Sequence, residues 1–134
     1  MQPAPSDTIK PRLLMEKADD ALRTARREQE LSPPTAVNRA YYACFYAASA
    51  VLIAEGRKFV KHAGTRNAVH EFLVHKGRLP TELGTQYDKL MTARHEADYE
   101  ATVSWTPQDA RHAVETAERI LAALRPLLPT GNNG

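Results

Sequence analysis

The chain has 134 residues, which suits one domain whose core needs no disulfide or metal to hold it. Its net charge is only +2 and no block of like charges is long enough to predict a nucleic-acid-binding tail, while the single cysteine, Cys44, has no intramolecular partner. The opening MQPAPSDTIKPR lacks the basic-then-apolar order of a secretory leader, and the longest charge-free run, Ala40 to Ala54, falls short of the roughly 20 residues of a membrane span; a cytoplasmic protein without a membrane partner is expected.

Pro, Gly and Thr divide the chain into about five helical segments, and nothing alternates with the period of a strand. The first is expected from Lys10 to Glu30, with Leu14, Ala18, Ala21, Leu22 and Ala25 at helical spacing and Ser32-Pro33-Pro34 ending it. Arg23, Arg26 and Arg27 near its end stand among acidic residues and read as a solvated face. The second runs from a cap at Thr35 to Glu55, before Gly56. Val37, Tyr41, Cys44, Ala48 and Leu52 form its apolar stripe, and its other faces lack charge from Ala40 to Ala54, so it is expected to be surrounded.

The third segment spans Thr65 to Lys76 and ends at Gly77; the fourth spans Thr81 to Asp98. Thr106-Pro107-Gln108-Asp109 reads as the start of the last, with Thr as cap, Pro in the first turn and Asp at the positive end of the dipole. An all-α, up-and-down bundle of about five helices follows, occupying residues 10–128, with 1–9 and 129–134 expected to be disordered. Metal and cofactor chemistry finds no support: there is no second cysteine and no Gly-rich phosphate loop. His70 and His75, five apart, point about 140° away from each other on an α-helix.

One residue type stands on the wrong face. Positions 83, 87, 90, 94 and 98 share the apolar side of the fourth helix, which sends Arg94 and Asp98 toward the core or a cleft. A guanidinium is costly to bury unless it is paired, and Asp98 lies one turn away. The second helix offers Asn38, Arg39, Tyr42 and Tyr46 as a matching polar-aromatic strip. Arginines and phenols in one groove suit a phosphate or nucleotide, and they equally suit a dimer interface.

These residues carry a family resemblance. Asn38-Arg39-Ala40-Tyr41-Tyr42-Ala43 resembles the second helix of HEPN proteins, and Arg94-His95-Glu96-Ala97-Asp98-Tyr99 resembles the Arg-x-x-Ala-Asp-Tyr element of one HEPN branch. His62 resembles the basic-His step before the family's third helix. The resemblance covers about residues 10 to 125 and implies a helical bundle, a homodimer and a minimal nucleotidyltransferase partner. Many members are toxins that cleave RNA, and others bind nucleotides or act as non-catalytic partners. The cleaving branch has, after the arginine that Arg94 matches and four to six intervening residues, a His. Here the place five residues on is Tyr99, and His95 lies about 100° around the helix. Catalysis near neutral pH ordinarily uses a group that titrates there, which a tyrosine ordinarily is not. The adenylylated tyrosine of some members would fall at Ala101, so that route is not supported. Arg57 to His62 has the spacing but lies in the connection after Gly56, and Arg66 to His70 is one residue short and sits in the third helix.

Three functions are therefore compared. The leading one is a homodimeric module that binds a nucleotide or RNA through Asn38, Arg39, Tyr42, Tyr46 and His62 and partners a nucleotidyltransferase in a toxin–antitoxin-like pair. The second is a metal-independent RNase toxin using Arg94, with His95, Asp98 or Tyr99 replacing the usual histidine. The third is a dimeric scaffold in which Arg94 and Asp98 are purely structural.

Overall fold

The structure, a computed structural model, describes residues 5–57 and 61–129. Five helices follow one another: α1 (Pro5–Glu28), α2 (Pro33–Ala54), α3 (His62–Ala68), α4 (Thr81–Tyr99) and α5 (Pro107–Leu124). A π-helical stretch, Val69–Val74, continues α3, and a 3-10 turn, Arg125–Leu127, follows α5. The described residues contain no strand, and no helix among them is long and apolar enough to cross a membrane.

The helix boundaries correct the sequence reading at three places. α1 begins at Pro5, so five residues assigned to an unstructured leader are helical; residues 1–4 and 130–134 lie outside the described residues. α2 begins two residues before Thr35: Ser32 is its N-cap, and Pro33 and Pro34 occupy the first turn, where a missing N–H costs nothing. Ser32 and Thr35 hydroxyls bond to one another at 2.7 Å in place of capping the backbone. α3 starts at His62, not near Thr65. The start of α5 is as expected, with a full capping box: Thr106 Oγ1 accepts from Asp109 N–H at 3.1 Å, and the Asp109 carboxylate accepts from Thr106 N–H at 3.0 Å.

α2 is the central element and packs against α1, α4 and α5. Ala36, Ala40, Ala43, Ala47, Ala48 and Ala50 are all buried, and their small side chains let neighbouring helices approach from several sides. Cys44 is buried among them as a small core residue. The arginines at the end of α1 are a solvated face, as anticipated: Arg23 pairs with Asp20 and Arg26 with Glu118.

The π-helical stretch changes which side chains meet. Widening the turn to an i→i+5 repeat brings residues five apart onto one side. His70 and His75 consequently lie with ring centroids 6.5 Å apart, against the divergence expected for an α-helix. His70 Nε2 meets both carboxylate oxygens of Asp88 on α4 at 3.0 Å. Gly84 permits this approach, because a Cβ there would stand 2.7 Å from Val74 Cγ2 and 3.2 Å from His70 Cε1. Replacing a mid-helix glycine by alanine ordinarily stabilises by about 0.5–1 kcal/mol. Here the overpacking should reverse the sign: Gly84→Ala is expected to lose about 1–3 kcal/mol, read as a lower midpoint in a urea melt.

Candidate functional site

The site is built where the polar end of α4 crosses the start of α2. The apolar stripe of α4 holds as far as Leu83, Tyr87 and Leu90, all buried. Arg94, the next residue on that face, keeps a side-chain exposure of only 12%. Its guanidinium carbon lies 5.3 Å from the centroid of the Tyr41 ring and 5.8 Å from that of Tyr42. Aromatic faces stabilise a partly desolvated cation by up to about 2 kcal/mol, which offsets part of its burial.

Charge pairing completes the placement. Arg94 Nη1 faces Asp98 Oδ2 at 3.5 Å, the ion pair expected from their one-turn spacing. The Asp98 carboxylate is held more closely by α2: Asn38 Nδ2 donates to its two oxygens at 3.1 and 3.0 Å. Arg39 Nε in turn donates to Asn38 Oδ1 at 2.9 Å, and its guanidinium covers the Tyr42 ring at 4.9 Å. A chain of polar contacts thus runs Arg39, Asn38, Asp98, Arg94 and ties α2 to α4. The Arg94 Nε is buried and has no hydrogen-bond partner among the described residues.

Tyr41 is the residue that sequence reasoning missed. It was placed on the apolar stripe of α2, and it is indeed fully buried, yet its hydroxyl lies 2.7 Å from Nδ1 of His62. Burial pushes the Tyr41 phenol up to about 12, so it holds its proton at neutral pH. Burial, and secondarily the Arg94 charge, lower the pKa of His62 and favour a neutral imidazole. In this contact either the phenol donates to Nδ1 or an Nδ1–H donates to the phenol oxygen, according to the tautomer of the neutral ring. The ring is further packed on Phe45, with centroids 4.4 Å apart. The only sequence signal for Tyr41 is that a buried tyrosine hydroxyl wants a partner.

Beyond Arg94, a groove of about 320 Å³ opens between α3 and α4, lined by Ala63, Arg66, Asp88, Thr92, Arg94 and His95. Arg66 was singled out from the sequence only as part of a misleading motif. The structure therefore brings Asn38, Arg39, Tyr42, His62, Arg94 and Asp98 together. His95 and Tyr99 sit at the rim, their rings 5.0 Å apart and Tyr99 67% exposed. Tyr46 lies farther along α2, on the side of α1, under the ammonium of Lys17. The Arg57-to-His62 spacing crosses residues 58–60, which are outside the described residues; Arg57 itself covers the Phe72 ring. No group of three His, Cys, Asp or Glu side chains suited to a metal occurs among the described residues.

Comparison with known proteins gives the context for this geometry. A family model described as HEPN domain matches residues 11–127. A UPF0332 protein of Thermotoga maritima is 36% identical over 110 residues, covering 82% of this chain and 81% of the relative. A second UPF0332 protein, from Gloeobacter violaceus, is 33% identical over 110 residues, covering 81% and 87%. A Methanocaldococcus jannaschii protein described as a candidate toxin is 34% identical over 97 residues, covering 69% and 72%. The crystal structure of TT1696 from Thermus thermophilus shares the fold, with a TM-score of 0.75 at 21% identity over 89% of this chain and 98% of that one.

The lowered pKa of His62 has a consequence for stability. Folding reduces this residue's affinity for a proton, so protonation favours the unfolded chain. Its stabilising contribution is complete above the unfolded value near 6.5 and is lost as pH falls from there through the folded value. Thermal melts between pH 8 and 5 should show this acid-side loss in the wild type and a shallower one in His62→Gln. Parallel profiles for the two proteins would contradict it.

Proposed function

The chain belongs to the HEPN domain family, and on that premise we propose that it is a cytoplasmic, homodimeric module that binds RNA or a nucleotide at the Arg94 groove. In this reading it is the toxin-like member of a pair with a minimal nucleotidyltransferase. The observation that carries the reading is the state of Arg94: a nearly buried guanidinium whose one ion pair is long and which lines the groove between α3 and α4. A purely structural arginine would be expected to spend its donors on the protein, since a buried unsatisfied donor costs about 1–3 kcal/mol. A phosphate oxygen supplies acceptors that match the guanidinium fork. Arg66 lines the same groove, and the His62 ring lies within reach of the Arg94 charge.

RNA cleavage is the second reading, favoured by the relative described as a candidate toxin. It needs a proton acceptor beside Arg94, and His62 and the rim residue His95 are the histidines placed there.

Isothermal titration with AMP should show binding that weakens about tenfold or more in Arg94→Ala, the loss of one charge-assisted contact. Arg94→Lys should recover it only in part, because an ammonium lacks the planar fork. Unchanged binding together with a large fall in melting temperature would instead identify Arg94 and Asp98 as a structural pair. Labelled total RNA incubated with excess protein in EDTA tests the second reading. Intact RNA is the expected result; cleavage that vanishes in an equally folded Arg94→Ala variant would establish the enzyme. Sedimentation should give the mass of two chains, and a monomer at micromolar concentration would remove the homodimer.

A further inference from the structure

α4 borders a second crevice, on the face roughly opposite the one that Arg94 and His95 turn to their groove. Leu90 and Ala93 of α4 stand across it from Ala113 and Thr116 of α5, with Val37 of α2 beneath and Trp105 of the connecting segment in its wall. The crevice measures about 190 Å³. Apolar cavities of roughly 150 Å³ hold benzene, and sites for drug-sized ligands begin at roughly 300 Å³. One six-membered ring with a small substituent therefore matches the space.

The walls set the chemistry of the occupant. Val37, Leu90 and Ala113 are buried, and the Trp105 ring packs against the same core. Two polar atoms interrupt these apolar walls, the indole Nε1 of Trp105 and the Oγ1 of Thr116, a residue only 1% exposed. Neither has a hydrogen-bond partner among the described residues, a state that native proteins rarely leave unused. An indole N–H only donates, so its partner must be an acceptor. The rim carries Lys89 and Asp109, one charge of each sign, which favours neither an anion nor a cation.

Both polar atoms are closed to solvent, so a ligand meets them once the Trp105 ring turns aside. The segment that bears the ring is lightly tied: from Ala101 to Trp105 its one backbone–backbone hydrogen bond runs from Val103 N–H to the Glu100 carbonyl, at 3.2 Å. Segments with few such bonds open at low cost.

We propose that the crevice between α4 and α5 binds an uncharged, single-ring aromatic molecule whose substituent carries a hydrogen-bond acceptor, an aryl amide being the type, and that Trp105 is its movable wall. The ring lies on Val37, Leu90 and Ala113, and the acceptor takes the Trp105 N–H and the Thr116 hydroxyl. This site is separate from the Arg94 groove and does not rest on the reading of that groove.

Trp105 is the single tryptophan of the chain, so its fluorescence reports on this crevice alone. Titration of the full chain with benzamide should change the intensity and wavelength of that emission saturably, with half-saturation at about 1 mM or below. Toluene keeps the ring and lacks the acceptor, and should bind about tenfold more weakly. Ala93→Leu, at a partly buried position whose longer side chain fills the crevice, should abolish the response. Thr116→Val removes the hydroxyl and keeps the shape; it should weaken benzamide about fivefold without lowering the melting temperature. No saturable response to benzamide, or equal affinity for benzamide and toluene, would overturn the proposal. So would wild-type affinity in both folded variants, or in Thr116→Val alone if Ala93→Leu does not fold. Emission that shifts with protein concentration and ignores benzamide would show a second copy of the chain covering the crevice, and would also overturn it.

Discussion

A single buried tyrosine joins the fold to the site. Tyr41 is fully enclosed by the bundle, its ring packed near Tyr42, Phe45 and Tyr87, and it therefore cannot move without disturbing the core. The Arg94 guanidinium lies against that ring, and the Tyr41 hydroxyl fixes the His62 imidazole. The cation and the imidazole, which come from α4 and α3, are set relative to each other by a residue of α2. Positions on rigid helices supported by packed side chains are held more precisely than positions on loops.

The same logic explains the packing around α2. Alanines on several of its sides let α1, α4 and α5 come close, which leaves no room for an arginine to fold into the core. Arg94 is instead held at the seam, with Asp98 anchored by Asn38 in front of it. Both Asp98 oxygens are bonded to Asn38, which holds the carboxylate 3.5 Å from Arg94. On the far side of α4, the π-helical stretch after α3 closes on Gly84, and the His70–Asp88 pair fixes one wall of the neighbouring groove.

Much of this was legible in the sequence. Helical periodicity gave five helices in order, and the charge-free run of α2 showed that it would be surrounded. Arg94 on the apolar face of α4 was visible from spacing alone, together with Asp98 as its partner. What was hidden had physical causes. Tyr41 reads as core because its ring is core, and only its hydroxyl reaches the site. The π-helical turn has no residue signal of its own; it follows from the fit of Val74 and His70 against Gly84, a tertiary contact. Lys17 meets the Tyr46 ring through the pairing of α1 with α2, which no local pattern announces. Ser32-Pro33-Pro34 was read as a stop, although prolines are equally suited to the first turn of the next helix.

The central claim is that Arg94 is an anion-binding guanidinium held ready by Tyr41 and Tyr42. The most direct measurement is the Nε–H resonance of Arg94 in a ¹⁵N–¹H spectrum, assigned by its loss in Arg94→Lys and followed during titration with AMP. The account predicts a saturable shift of that resonance as a phosphate engages the same guanidinium from the groove. A resonance that stays fixed while others elsewhere on the protein move would contradict it, and would place the ligand away from the seam of α2 and α4.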